Sequence, residues 1–492
     1  MPIATSLAAA GFVLLAAATI ATTAAHSATP AESAGGANGS VFPFRVQQKS
    51  LDNGLRVIVI PYDSPGTVAF FMVVRTGSRD EVEPPGRDPA RPGQSPGHSG
   101  FAHFFEHMMF RGTEKYSQDR YNETIKGMGA DSNASTADDV TRYYIVGPAS
   151  QLETIMDMES DRFKNLKYSE EAFRTEALAV LGEYNKSASS PYTPMVEKLR
   201  DLAFTRHTYK HTTIGFVADI KAMPGYYQYS LQFFNRFYRP ENCTLMLVGD
   251  VDAQRVFALA RRYFGDWKKG YQPAPVAPEP PQSERKEARI DWPNPTRPRI
   301  WLGYHMPAFS TRSVDSAALD AIGELLFSES APLYRELVID RQWVDFLQGG
   351  PQHHRDPYLF MVLSQAKSED LVGKIRETID RHIRELRTNP VDEQRLAGVK
   401  SHVRYAFALR LDTPRAVADQ VTEFLALSGD LADIDRYFAQ YQRVTPADVQ
   451  RLAREVFRPQ NETIVILTHP ADKPGTQRPV SPADHRGGAG HD

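Results

Sequence analysis

Two stretches more than two hundred residues apart share one pattern, and that pattern constrains the fold most. Tyr238-Arg239-Pro240-Glu241-Asn242-Cys243-Thr244 leads into an apolar run ending at residue 248, and Phe457-Arg458-Pro459-Gln460-Asn461-Glu462-Thr463 leads into residues 464–467. Both read aromatic-Arg-Pro-x-Asn-x-Thr and then strand, and both follow a helical segment. A Pro-rich stretch, residues 272–281, lies between them with a charged tail at 283–289. Repetition on either side of such a segment predicts a duplicated chain. The expected organisation is a first half over residues 42–270, a linker over 271–289 and a homologous second half over 290–470. A chain of 492 residues is also too long for one core. Strand-like and helical runs mix within each half. The predicted class is therefore α+β: two homologous α/β sandwich halves, each a mixed or antiparallel sheet flanked by helices.

The ends have a different character. No charged side chain precedes Glu32, and residues 7–21 are mostly apolar and Ala-rich. Residues 1–27 read as a signal peptide with Ala25-His26-Ser27 before a cleavage point, which implies a periplasmic or secreted chain. An uncleaved anchor is the other reading, although the run is shorter than the roughly 20 residues a span needs. Residues 28–41 are expected to be flexible, and 471–492 a disordered tail. Residues 84–97 (PPGRDPARPGQSPG) read as an exposed loop, with a long helical stretch starting near residue 100. A net charge of −3 gives no reason to expect nucleic acid or an anionic membrane as partner. The single cysteine, Cys243, cannot form an internal disulfide and reads as a buried thiol beside a strand.

The chemistry concentrates in His103-Phe104-Phe105-Glu106-His107. On a helix, residues four apart share a face, so His103 and His107 stack with Glu106 beside them. The surrounding residues Phe101, Ala102, Phe104, Phe105, Met108, Met109 and Phe110 make the segment apolar all round, as in a buried helix. Burying an unpaired polar group costs roughly 2–7 kcal/mol, so these three side chains need partners. One Zn²⁺ with its water satisfies them, the histidines as neutral ligands and Glu106 as the base that takes the water's proton. The order His-x-x-Glu-His is the inverse of the commoner zinc-peptidase motif. A site with two histidines needs a third protein ligand. Residues 171–185 carry a helical apolar stripe flanked by Glu176 and Glu183, seven apart. Spacing alone leaves these as either surface glutamates or ligands. His207 with His211, and His353 with His354, lie in loop-like sequence and are assigned no metal.

These residues resemble the pitrilysin/insulinase family of zinc peptidases, in size and layout its mitochondrial-processing-peptidase-like branch. The resemblance runs through Gly77-Ser78-Arg79-Asp80, then residues 98–113 around the motif, then Asn133-Ala134-Ser135-Thr136 with Asp139 and Thr141, then the Glu176/Glu183 pair. It implies that His103, His107 and Glu183 ligate one zinc per chain, that Glu106 is the general base, and that Glu176 orients a ligand. It also implies that residues 131–137 form a sheet edge near the metal, where Asn133, Ala134, Ser135 and Thr136 pair with an extended peptide substrate.

The second half departs from the family. Members that work alone carry an Arg and, seven residues later, a Tyr that hold the substrate backbone. Val338 and Asp345 fall at those positions here. Valine cannot donate, and aspartate would repel a developing oxyanion. The expectation is a zinc endopeptidase for peptides or short unfolded polypeptides, acting as the zinc-bearing subunit beside a homologous subunit with the Arg/Tyr pair. The alternatives are a non-catalytic peptide-binding or assembly member of the family, and zinc hydrolysis of a non-peptide substrate.

Overall fold

The computed structural model describes residues 40–82 and 97–470. The signal peptide, most of the 28–41 stretch, nearly all of the 84–97 loop and the 471–492 tail lie outside the described residues. Among the described residues, no helix is long and apolar enough to cross a membrane.

Eleven strands form two sheets among the described residues. The first has the order β1-β2-β6-β3-β5-β4, with β1 Gln47–Ser50, β2 Arg56–Pro61, β3 Thr67–Val74, β4 Asp131–Thr136, β5 Thr141–Pro148 and β6 Cys243–Gly249. The second runs β7-β11-β8-β10-β9, with β7 Lys286–Asp291, β8 Arg299–Met306, β9 Val344–Pro351, β10 Tyr358–Ala366 and β11 Glu462–Thr468. Each sheet contains one parallel pair, β2 with β6 and β7 with β11, and is otherwise antiparallel. The predicted class, two mixed sheets flanked by helices, is the observed one.

The repeated sequence does the same job in both halves. Pro240–Asn242 and Pro459–Asn461 are short 3₁₀ turns that feed β6 and β11. Asn242 Nδ2 donates to the Phe237 carbonyl at 3.0 Å, and Asn461 Nδ2 donates to the Val456 carbonyl at 2.7 Å. Each asparagine thus bonds the carbonyl of the last residue of the preceding helix and ties the turn that leads into its strand.

Eight helices of the first half are α1 Phe101–Met108, α2 Gln118–Met128, α3 Leu152–Asn165, α4 Glu170–Ala188, α5 Tyr192–Ala203, α6 Val217–Ala222, α7 Tyr227–Phe237 and α8 Ala253–Phe264. Strand β3 is buried along both faces after its first residue, because both faces of its sheet are covered. Val57, Val59, Phe70, Met72, Leu245 and Leu247 face a core with α1, α3, α4, α7 and α8. Ile58, Ile60, Phe71, Val73, Met246 and Val248 face a core shared with the second half.

That shared core includes the second-half helix Pro414–Leu427, which packs Val417, Val421 and Leu425 against β3 and β6. Conversely, α5 leaves its own sheet. Its Met195, Leu199 and Ala203 pack on Trp301, Leu359, Leu363, Val465 and Leu467 of the second sheet. Fully burying one such side chain is worth about 1.5–3 kcal/mol. The two halves therefore exchange a helix, and a boundary drawn at residue 270 does not separate their cores.

Three expectations need correction. Residues 286–289, placed in the linker, belong to strand β7, Lys286–Asp291, whose Ala288 and Ile290 alternate with charged residues at a sheet edge. The Pro-rich run is also tied down, since the Glu279 carboxylate accepts the backbone N–H groups of Thr205, Arg206 and His207 at 2.7–2.9 Å. Ser40 and Val41, placed in the flexible stretch, bind the Asp435 carboxylate at 2.9–3.0 Å.

In the second half, every residue of the helix Asp315–Phe327 after Asp315 is buried. Burial, reinforced by neighbouring Asp320, pushes the Glu324 carboxyl up to about 7, and Arg410 opposes this. The unfolded chain releases this proton near pH 4.3. The raised folded value means that the stability from protonated Glu324 is complete below about pH 4.3 and is lost as pH rises through about 7. Glu324→Gln removes this term. Thermal melts at pH 5 and pH 8 are expected to show a smaller loss of stability for the variant, by about 1–3 kcal/mol. Parallel pH profiles for variant and parent would refute it.

Candidate metal centre

Helix α1 is shorter than the sequence predicts, eight residues ending at Met108. Gly112 forces the chain to turn soon after, at φ 93°, where a Cβ would meet the Gln118 nitrogen and the Tyr116 oxygen at 2.7 Å. The helix start is equally constrained. Gly100 has φ 92°, and a Cβ there would lie 2.5 Å from the Ile214 carbonyl oxygen. The buried Glu81 carboxylate accepts the N–H groups of Gly100 and Ala102, both at 2.6 Å, and so satisfies two donors at the helix N-terminus. Phe101, Phe104, Phe105 and Met108 fix the rotation of α1 by burying against the surrounding core, with Phe104 on Phe173 of α4 and Phe105 stacked on Phe233 of α7.

The remaining face carries His103, Glu106 and His107, and α4 brings Glu183 across from it. His103 Nε2 lies 3.7 Å and His107 Nε2 3.5 Å from Glu183 Oε2. One ligand atom from each of the three residues lies within 4.8 Å of the others, and no other such group of three or more occurs among the described residues. Tetrahedral zinc with bonds of about 2.0–2.1 Å places its ligand atoms about 3.3 Å apart. The two-nitrogen, one-oxygen set therefore fits one zinc ion with only small closing movements.

Glu176, about two helical turns earlier on the same side of α4, reaches His107 from behind. Its Oε1 sits 2.9 Å from His107 Nδ1, which leaves Nε2 as the nitrogen turned towards Glu183. Arg111 grips the other carboxylate oxygen through Nε at 2.5 Å and also through a terminal guanidinium nitrogen. Burial opposes the Glu176 charge, but the bonds from His107 and Arg111 outweigh it and hold the carboxyl below its usual range. The His107 ring moves in the opposite sense: burial opposes its charge, yet Glu176 and the other nearby carboxylates bring its pKa above the ordinary value. Burial, reinforced by His107, pulls His103 down to about 3, so that ring is neutral as a metal ligand must be. His103 Nδ1 is buried with no hydrogen-bond partner.

Glu106 is not part of the three-residue group. Its Oε2 accepts the Thr136 hydroxyl at 2.6 Å, and burial raises its carboxyl pKa while that bond works against the rise. Thr136 ends β4, the edge strand of the first sheet. The four residues expected to meet substrate thus lie on a sheet edge beside α1. Ala134 is buried towards α1, Ser135 accepts Arg142 Nε at 2.8 Å, and Asn133 Oδ1 accepts the Ala134 N–H at 2.9 Å.

Val338 and Asp345, the residues that the resemblance sets at the Arg/Tyr positions, carry no side-chain donor when Asp345 is ionised. Val338 lies in a π-helical turn and packs on the core, while Asp345 is on β9 and pairs with Arg297. His207 and His354 bind Asp356 and Asp138 at 3.0 Å, and His353 binds Asp320 at 2.8 Å, in buried networks that contain no three-ligand group. Sequence reasoning missed Glu81 and gave Arg111 no role. Glu81 lies 19 residues before Gly100 and has no spacing signal. Arg111 lies four residues after His107, which is a readable cue.

The family model described as Insulinase (Peptidase family M16) matches residues 92–215, and that described as Peptidase M16 inactive domain matches residues 227–403. The chain belongs to the pitrilysin/insulinase family of metallopeptidases. Within that family it is 26% identical over 428 residues to zinc protease PqqE of Helicobacter pylori, covering 85% of this chain and 91% of that protein. It is 23% identical over 434 residues to the mitochondrial-processing peptidase subunit beta of Saccharomyces cerevisiae, covering 85% and 89%. The crystal structure of a protease from Helicobacter pylori superposes with a TM-score of 0.78 at 26% identity, covering 87% of this chain and all of that one.

If Glu176 fixes the ring of His107, Glu176→Gln should weaken zinc binding about 10–100-fold. Competition with a chromophoric chelator measures this, and unchanged affinity would exclude the orienting role.

Proposed function

We propose that the chain is a zinc-dependent endopeptidase acting on peptides or short unfolded polypeptides, and that it is the zinc-bearing subunit of a heteromer. The observation that carries this reading is the convergence of His103, His107, Glu183 and Glu106 beside the edge strand β4. His103, His107 and Glu183 would hold the metal, with Glu176 fixing His107. Zinc bound there supplies Lewis acidity towards a peptide carbonyl and a water of lowered pKa.

The chain's own groups do the rest. The β4 backbone aligns an extended substrate by adding it as a further strand, which selects chain conformation more than side-chain identity. Asn133 Oδ1 gives up the Ala134 N–H as the substrate strand docks. Glu106, steadied by Thr136, takes a proton from the attacking water and delivers it to the leaving amine nitrogen. No group at Val338 or Asp345 can donate to the substrate backbone, so a homologous subunit bearing an Arg/Tyr pair completes the site. The apolar N-terminal run and the small residues after it support export to the periplasm or beyond, with residues 1–27 removed.

Glu106→Gln is expected to retain zinc and to lose about 10²–10⁴-fold in kcat on a quenched peptide. Unchanged turnover would remove Glu106 from the reaction. The purified chain is also expected to turn over slowly alone and to gain activity with an Arg/Tyr-bearing homologue. Full activity without a partner would end the split-site reading.

A further inference from the structure

Strand β4 is poorly suited to being a strand. Of Asp131-Ser132-Asn133-Ala134-Ser135-Thr136, only Thr136 is a favoured strand former, and Asp131, Asn133 and Ala134 are disfavoured. It is also an edge, paired with β5 alone. Its extended form therefore leans on side-chain contacts. Ser132, Ala134 and Thr136 share one face of the strand. The first half holds that face: Ser132 Oγ lies 3.2 Å from the Tyr121 hydroxyl, Ala134 is buried, and Thr136 bonds Glu106.

The opposite face carries Asp131, Asn133 and Ser135, and the second half holds it through the helix Pro414–Leu427. Arg142 stands directly across from Ser135 in the β4–β5 ladder. Its Nε donates to Ser135 Oγ at 2.8 Å, and its Nη1 lies 2.9 Å from Asp419 Oδ1. Arg415 Nε lies 3.7 Å from Asp419 Oδ2. The Arg415 guanidinium covers the Tyr144 ring at 4.3 Å, and its Nη1 lies 3.4 Å from Asp131 Oδ2. One carboxylate thus joins two arginines that reach opposite ends of β4.

The two arms are unequal. Arg142 and Asp419 are 28% and 27% exposed, whereas Arg415 and Asp131 are 45% and 65% exposed, so water screens the second contact more. Burial pushes the carboxyl of Glu423, one turn further along the helix, up to about 8, so at neutral pH it does not compete for Arg142. The Asp419–Arg142–Ser135 chain is the stronger tie.

We propose that Asp419 is a positioning residue for substrate: through Arg142, and secondarily through Arg415, it holds β4 extended for the peptide that pairs with it. This rests on the reading of β4 as the docking edge. The second half, which supplies no metal ligand, then acts on peptide binding and leaves the metal and Glu106 unaffected.

The test compares the full-length zinc-loaded chain with Asp419→Asn, which removes the charge at constant shape, and Asp419→Glu, which keeps it. Backbone hydrogen exchange over residues 131–136 is expected to be about three- to tenfold faster in Asp419→Asn and close to the parent in Asp419→Glu. KM for a quenched peptide should rise by about the same three- to tenfold factor in Asp419→Asn, with kcat within about twofold and zinc affinity unchanged. A packing role alone would speed exchange in β3 and β6, against which the same helix lies, as much as in β4. Unchanged exchange over residues 131–136 in Asp419→Asn overturns the proposal, as does faster exchange with unchanged KM. Absence of turnover by the parent counts against the peptidase reading alone, and the exchange comparison then decides whether Asp419 holds the strand.

Discussion

The metal centre depends on one buried carboxylate. Glu81 accepts the N–H groups of Gly100 and Ala102, and the chain enters α1 there at a glycine that no larger residue could replace without meeting the Ile214 carbonyl. This fixes where the helix begins. Because the next residues are large aromatic groups locked in the core, it also fixes which face is left over. His103, Glu106 and His107 occupy that face because the apolar positions take all the others. Glu81 lies 19 residues before Gly100, so the geometry of the site is set by a contact between segments separated in sequence.

Around that helix, each polar group is oriented by a neighbour on another element. Arg111 and His107 together hold the Glu176 charge in a setting where burial works against it. Thr136 reaches from the sheet edge to Glu106 and couples the position of that carboxylate to the edge strand. Removing one member of such a set leaves its partner buried and unsatisfied, which costs more than a surface contact of the same kind.

Short-range patterns in the sequence were enough for much of this. The aromatic-Arg-Pro-x-Asn-x-Thr repeat marks two equivalent turns because in each the asparagine bonds a carbonyl five residues earlier. The His103–His107 face follows from helical periodicity. Glu183 was ambiguous from spacing, and only the resemblance distinguished it from a surface residue. The exchange of α5 for the helix Pro414–Leu427 was not legible, because each helix is amphipathic in the ordinary way and nothing local says which sheet it will cover. Strand β7 was hidden by its charges, which its edge position allows to face solvent. Glu81 was hidden because its partners are backbone amides, which leave no mark on composition.

The helix exchange also changes what a break in the chain would do. A nick in the Pro-rich run after residue 270 gives two fragments, each with a whole sheet and each lacking a helix that covers it. The missing helix is in the other fragment in both cases. The pieces are thus complementary, and neither can bury its own sheet without the other.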